Sequence, residues 1–200
     1  MDEPIISQNR KRSEGPFLFL WETIKIIILA LVIIIPFRYF IAQPFFVKGA
    51  SMEHTFEDDD YLIINEIGLY FSEPKRGDVV VFRYPEDPKQ YFIKRVIGLP
   101  NETVEISGNK VKIFRGGGFA AITLEESGYL DSGQVTEGEL KTQLGEDEYF
   151  VMGDNRLHSS DSRRWGPLER RFIVGKVFIR AWPLSEIKYF TPAPYPQLIN

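Results

Sequence analysis

Apolar side chains fill one long stretch near the start of the chain and afterwards recur only in short runs. From Phe17 to Ala42 the residues are mostly Ile, Leu, Val and Phe, broken by Glu22, Lys25 and Arg38, and Ile26 to Phe37 carries no charge. Roughly 20 helical residues cross a hydrocarbon layer, so the uncharged run spans only with its flanks. Lys25 and Arg38 sit near its ends, where long basic side chains reach the headgroups, and Pro36 lies where a kink is tolerated. A buried soluble helix is the weaker alternative, because such helices keep a polar stripe. A cleavable leader is a second alternative, but Phe40 would occupy its outer small position before Ala42. The pattern predicts a polar tail over 1–16 and an uncleaved transmembrane anchor over 17–42. Arg10, Lys11 and Arg12 before the span, against Arg38 and Lys48 after it, give a positive-inside bias towards a cytoplasmic N-terminus.

Beyond the anchor the period shortens. Gln43 to Lys48 reads as an extended lead-in, with Phe45 and Phe46 exposed or facing lipid. Tyr61 to Asn65 is a strand after the turn-forming Asp58-Asp59-Asp60. Asp78 to Tyr84 contains a Val-Val-Val-Phe run suited to burial on both faces. Pro85 to Lys89 reads as a loop, and Gln90 to Ile97 as the next strand. Residues 101–148 change character: candidate strands Thr103 to Ser107 and Lys110 to Phe114 alternate with a triple glycine and an acidic, Gly-dotted run. This segment is expected to be a β insertion, less densely packed than the core. Tyr149 to Met152 returns to strand before a Gly153-Asp154-Asn155-Arg156 turn. Phe172 to Trp182 is a strand pair or one long bent strand, with Gly175 as a bulge.

Two hundred residues allow one domain with a modest insertion and an anchor. The formal net charge of −4 gives no reason to expect nucleic-acid binding. The absence of cysteine excludes disulfides, thiolate metal sites and a cysteine nucleophile, and the two histidines, His54 and His158, argue against a multi-histidine metal site. The Gly-rich loop lacks the lysine and hydroxyl residue of a phosphate-binding loop.

The candidate chemistry lies in Lys48-Gly49-Ala50-Ser51-Met52 and Phe92-Ile93-Lys94-Arg95-Val96-Ile97. A serine needs a base beside it, and a lysine becomes that base only where its environment lowers its pKa. Strand alternation puts Phe92, Lys94 and Val96 on one face and Ile93, Arg95 and Ile97 on the other, both largely apolar. Moving a lysine from about 10.4 to about 7 disfavours its ammonium by roughly 5 kcal/mol, and burial is the available cause. The competing reading of Lys94 and Arg95 is an edge-strand pair that blunts aggregation. Ser51 alone also fits a turn or cap. His54 could serve as its base only if local turn geometry brought the two together, and His158 reads as solvent-exposed.

Four blocks, taken in order, resolve the choice. Gly49-x-Ser51-Met52, Gly77-Asp78-Val79-Val80-Val81-Phe82, Tyr91 to Pro100, and Gly153-Asp154-Asn155-Arg156 with Ser159 to Arg163 and Trp165-Gly166 strongly resemble bacterial type I signal peptidases. The resemblance runs from the anchor to about Pro183. It implies a membrane-anchored serine-lysine endopeptidase that removes signal peptides from exported preproteins, after small residues at the first and third positions before the cut. It implies Ser51 as nucleophile, Lys94 as general base and Ser159 as the residue orienting the lysine. Asp161 and Arg163 then form a supporting charged pair, and Asp154 has a structural role in the same turn. No metal or organic cofactor is implied. The partners are preproteins and membrane lipid, without nucleic acid, and a monomer is expected.

The chain departs from the family pattern at four positions. His54 stands where proline is usual, which is expected to loosen the turn. Asp59 and Asn101 stand where many members have glycine, and both residue types tolerate left-handed backbone. Gly49 stands where some members carry a serine that helps bind the oxyanion, leaving the Ser51 N–H as the assignable donor, and one lost donor can cost on the order of 10²–10³ in rate. Three other functions remain in view. A non-enzymatic binding domain predicts that Ser51 and Lys94 are dispensable. A self-cleaving repressor would need a DNA-binding helical domain where the anchor lies. A eukaryotic-type signal peptidase would have histidine in the block that holds Lys94. The expected fold is mainly β: an antiparallel β-sheet or barrel-like catalytic core over 43–100 and 149–190, a smaller inserted β subdomain over 101–148 and a C-terminal tail over 191–200. The catalytic domain is expected on the extracytoplasmic side of a single-pass plasma-membrane protein.

Overall fold

A computed structural model describes residues 16–36, 43–116, 120–131 and 133–195. The basic tail Arg10 to Arg12, the Arg38–Ala42 end of the expected anchor, part of the triple-glycine loop and the last five residues lie outside the described residues. The chain divides into two units, 1–39 and 40–200. In the first, helix α1 (Pro16–Pro36) contains Phe17–Ile35, long and apolar enough to cross a membrane, with its large apolar side chains exposed. Lys25 pairs with Glu22 at 2.6 Å, so the two charges inside the apolar stretch neutralise each other.

The second unit is almost entirely antiparallel β. Its elements are β1 (Gln43–Phe46), β2 (Tyr61–Asn65), α2 (Gly68–Phe71), β3 (Val79–Tyr84), β4 (Asp87–Gly98), β5 (Thr103–Ser107), β6 (Lys110–Phe114), β7 (Ile122–Thr123), β8 (Leu140–Gln143), β9 (Glu148–Met152), α3 (Ser162–Trp165), β10 (Leu168–Glu169), β11 (Ile173–Trp182) and β12 (Lys188–Tyr189). The main sheet runs β1-β2-β11-β3-β4-β9-β10, with β12 paired to β11, and a second sheet runs β7-β6-β5-β8. Among the described residues no ladder joins β1 to β10, so the expected antiparallel sheet core is present as two sheets and does not close into a barrel.

The alternation in β3 explains its place. Val79 and Val81 enter one buried cluster with Met52, Phe56, Leu62 and Ile64, while Val80 and Phe82 enter another with Val96, Tyr149 and Val151. A strand apolar on both faces belongs in the middle of a sheet, and β3 lies between β11 and β4. The loop expected over Pro85 to Lys89 is shorter, because Tyr84 pairs with Asp87 and the strand resumes there. Phe172 to Trp182 resolves as one strand after a short 3₁₀ turn, with a register shift at Gly175. The small sheet is not loosely packed as expected. Val104, Ile106, Val111 and Ile113 share a buried cluster with Ile97, Phe150 and Met152 of β4 and β9. Asp59 and Asn101 take φ of 68° and 65°, the left-handed backbone their residue types tolerate.

Candidate active site

Ser51 sits in a tight turn anchored by its neighbours. Met52 and Phe56 are fully buried, and the Phe56 N–H donates to the Met52 carbonyl at 2.8 Å, so the core fixes the turn that presents the Ser51 hydroxyl. The loop after β9 closes on it from the other side. The Asn155 N–H donates to the Ser51 carbonyl at 3.1 Å, and Asn155 Nδ2 donates to Glu53 Oε2 at 3.0 Å. Gly153 is required at this contact. A Cβ there would lie 2.6 Å from Ser159 Cβ and overlap both Ser159 Oγ and the Ser51 carbonyl oxygen.

Lys94 is on β4, between β3 and β9, which overturns the edge-strand reading. It is only 3% exposed. Its Nζ lies 2.6 Å from Ser51 Oγ and 2.7 Å from the Ile93 carbonyl oxygen, with the Phe92 ring centre 5.4 Å away. Burial lowers its pKa to about 8, against the opposing pull of the Asp161 and Asp154 carboxylates. About a tenth of the amine is therefore neutral at pH 7 and half of it near pH 8, and that amine is within reach of the serine proton.

Asp161 caps α3 through the Arg163 N–H, accepts 2.8 Å bonds from the Arg163 guanidinium at both oxygens, and accepts the Gly153 N–H at 3.0 Å. Burial pushes its carboxyl up, but Arg163 and the Gly153 N–H outweigh that and hold it below the usual range. Ser159 Oγ is buried beside Gly153 on the side of the Asp161 carboxylate, which it helps to stabilise, and no hydrogen bond joins it to Lys94 among the described residues. Asp154 turns away from the dyad. It accepts from Arg95 Nε at 2.8 Å and from Thr55 Oγ1 at 2.5 Å, inside a fully enclosed pair. The Gly49 N–H donates to Asp58 Oδ1 at 2.8 Å, so it is not free to bind an oxyanion.

Neither histidine replaces the lysine. His54 is exposed, with φ of 74°, and its Nδ1 lies 2.9 Å from Asp131 Oδ2. Proline, locked near −65°, cannot adopt that backbone, so the turn is reshaped rather than loosened. His158 Nδ1 lies 3.2 Å from Asn155 Oδ1. The residue that sequence reasoning missed is Arg95. Alternation put it on the opposite face from Lys94, and a buried guanidinium there demands an acid; spacing alone did not name Asp154.

A groove of about 500 Å³ runs up to the dyad between Phe45–Ala50 and Gln90–Ile93. A family model described as "Signal peptidase, peptidase S26" matches residues 20–182. The chain is 37% identical over 199 residues to a signal peptidase I of Leptolyngbya laminosa, covering 96% of this chain and 92% of that one. It is 33% identical over 186 residues to signal peptidase I P of Bacillus subtilis subsp. natto, covering 91% and 97%. A solved signal peptidase I of Enterococcus faecalis V583 superposes with a TM-score of 0.43 at 28% identity, over 52% of this chain and 97% of that one. With two thirds and more of its length matched by relatives at this level of identity, the chain belongs to the signal peptidase family, peptidase S26.

Proposed function

We propose that the protein is a serine-lysine endopeptidase that removes signal peptides from exported preproteins at the outer face of the plasma membrane. The observation that carries this reading is the 2.6 Å approach of Lys94 Nζ to Ser51 Oγ, by a lysine whose pKa burial has lowered to about 8. Neutral Lys94 accepts the Ser51 proton as Oγ attacks the scissile carbonyl. The oxyanion forms beside the Ser51 backbone N–H. Collapse breaks the peptide bond, Lys94 returns the proton to the leaving amine, and the signal peptide stays on Ser51 as an ester. Lys94 then takes a proton from water, whose oxygen attacks the ester carbon. The Ser51 hydroxyl is restored and the signal peptide leaves with a new carboxylate.

Around the dyad, Asp161 with Arg163 and Asp154 with Arg95 hold the two loops in place. Ser159, buried between Gly153 and Asp161, is the hydroxyl we assign to orienting Lys94. In an extended substrate the first and third residues before the cut point to the same side. A groove walled by Phe45, Val47, Phe92 and Ile93 suits small side chains there. Residues 43–100 and 149–190 form the catalytic core and 101–148 its inserted β subdomain; the tail expected from 191 instead packs on the body as far as Tyr195, which is buried, with the Ala193 N–H donating to the Gly77 carbonyl at 3.2 Å. Residues 17–42 are a single-pass anchor with a cytoplasmic N-terminus, and Phe45 and Phe46 seat the core on lipid. The enzyme works as a monomer without metal or organic cofactor.

The test is cleavage of a model preprotein in detergent by the parent, Lys94→Ala and His54→Ala across pH. Lys94→Ala should lose about 10³-fold or more, in line with the loss of a positioned base. His54→Ala should retain activity, and the parent's rate should rise through about pH 8. Activity that survives Lys94→Ala sinks the dyad.

A further inference from the structure

Next to the catalytic groove lies a second cavity of about 360 Å³. It shares His158 and Ser160 with that groove, and Ser159, packed against Gly153 and so close to the Ser51 carbonyl, lines it too. Its wall carries the side chains of Arg163 and Arg164 against one carboxylate, Glu137, while the guanidinium of Arg156 is enclosed behind it. Arg156 is held by Glu126 and Arg163 by Asp161, and neither acid lines the cavity. The Arg164 side chain makes no hydrogen bond or ion pair among the described residues, and neither does that of Glu137. The wall thus carries one uncommitted arginine and one uncommitted carboxylate, with the Arg163 guanidinium already paired to Asp161.

We propose that this cavity receives the residues that follow the scissile bond, and that Arg164 makes the enzyme favour an acidic side chain there. The inference rests on the Ser51–Lys94 reading: a peptide whose signal side fills the apolar groove must continue past Ser51, and this is the cavity it enters. An acidic side chain meets Arg164 with Arg163 behind it. A basic one meets Glu137 alone, against the field of Arg164 and Arg163. Exposed charge pairs are individually weak and screened by salt, so the discrimination is a few-fold and ionic-strength dependent.

The test uses peptides identical up to the cut and carrying Glu, Gln or Lys at each of the first three positions after it. They are cleaved by the full-length parent, Arg164→Gln and Glu137→Gln in detergent. The readout is the ratio of kcat/KM for the Glu and Lys peptides. At one or more positions the parent should favour Glu by about threefold to fivefold. Arg164→Gln should bring that ratio towards one, Glu137→Gln should raise it, and 1 M salt should flatten it. A parent ratio within twofold of one at all three positions, or a ratio that Arg164→Gln leaves unchanged, overturns the subsite. Cleavage of the Gln peptide by the parent, lost in Lys94→Ala, separates the two claims. With that cleavage present, a flat ratio removes only the subsite. Without it the underlying reading fails and the subsite with it.

Discussion

Lys94 is pulled in two directions, and both pulls can be measured. Burial disfavours its ammonium, while the Asp161 and Asp154 carboxylates favour it. Asp161→Asn removes one of those carboxylates, so the pKa should fall further and the rise of kcat/KM should move below pH 8. A shift to higher pH would show that Asp161 acts in some other way. Stability carries the same sign. An unfolded lysine holds its proton up to about 10.4 whereas folded Lys94 loses it near 8, so between these values the unfolded state binds more protons. Stability should therefore rise with pH across that window, by about 3 kcal/mol from this group. Lys94→Met should abolish that part of the rise, read as the parent-minus-variant difference in denaturation midpoint at pH 7.5 and 10. At Gly153 the constraint is steric, since a Cβ would overlap Ser159 Oγ and the Ser51 carbonyl oxygen. Gly153→Ala displaces the nucleophile turn or the Ser159 loop, and a misplacement near 1 Å costs about 10²-fold in rate. Single-turnover cleavage by a variant shown to be folded checks this.

At the scale of elements, the site is a strand, a turn and a loop locked together by ion pairs, and the sequence revealed these parts unequally. Strand β4 was legible because its alternation separates Lys94 from Arg95, and the run Val79 to Phe82 announced a central strand. The nucleophile turn was legible only through the family blocks, since Ser51 by itself also fits a cap. The partner of Arg95 was hidden: Asp154 is 59 residues away in sequence, and periodicity carries no information about which distant carboxylate closes on a buried guanidinium. The reshaped turn at His54 was hidden too, because residue type does not report that φ would become positive. Whether the sheet closes was not legible, because edge strands and barrel strands share one alternation pattern. The Arg95–Asp154 pair predicts its own measurement. Asp154→Ala leaves a buried guanidinium uncompensated and frees Thr55, which should cost about 3–5 kcal/mol. A denaturant midpoint unchanged by Asp154→Ala would mean the pair is relaxed by solvent.

The whole molecule joins an apolar helix to a β body whose buried clusters are its own. Every residue of the three core clusters lies between Phe45 and Tyr195, and none of the Phe17–Ile35 window is buried. Those clusters therefore lie wholly within the second unit. In the proposed function the work of the helix is to hold the body at a membrane, where it would raise the local concentration of substrates held in the same bilayer. Phe46, 64% exposed next to the groove, would add the body's own apolar contribution to that surface. Residues 43–200 produced alone should unfold cooperatively and cleave a short soluble peptide with the parent's rise through about pH 8. The same protein should lag the parent severalfold or more on a preprotein embedded in vesicles, because it has lost the tether and kept the dyad. Equal rates on the embedded preprotein would assign membrane targeting to the body and leave the helix without a kinetic role. Loss of the soluble-peptide activity in a folded body would instead make the helix part of the catalytic unit.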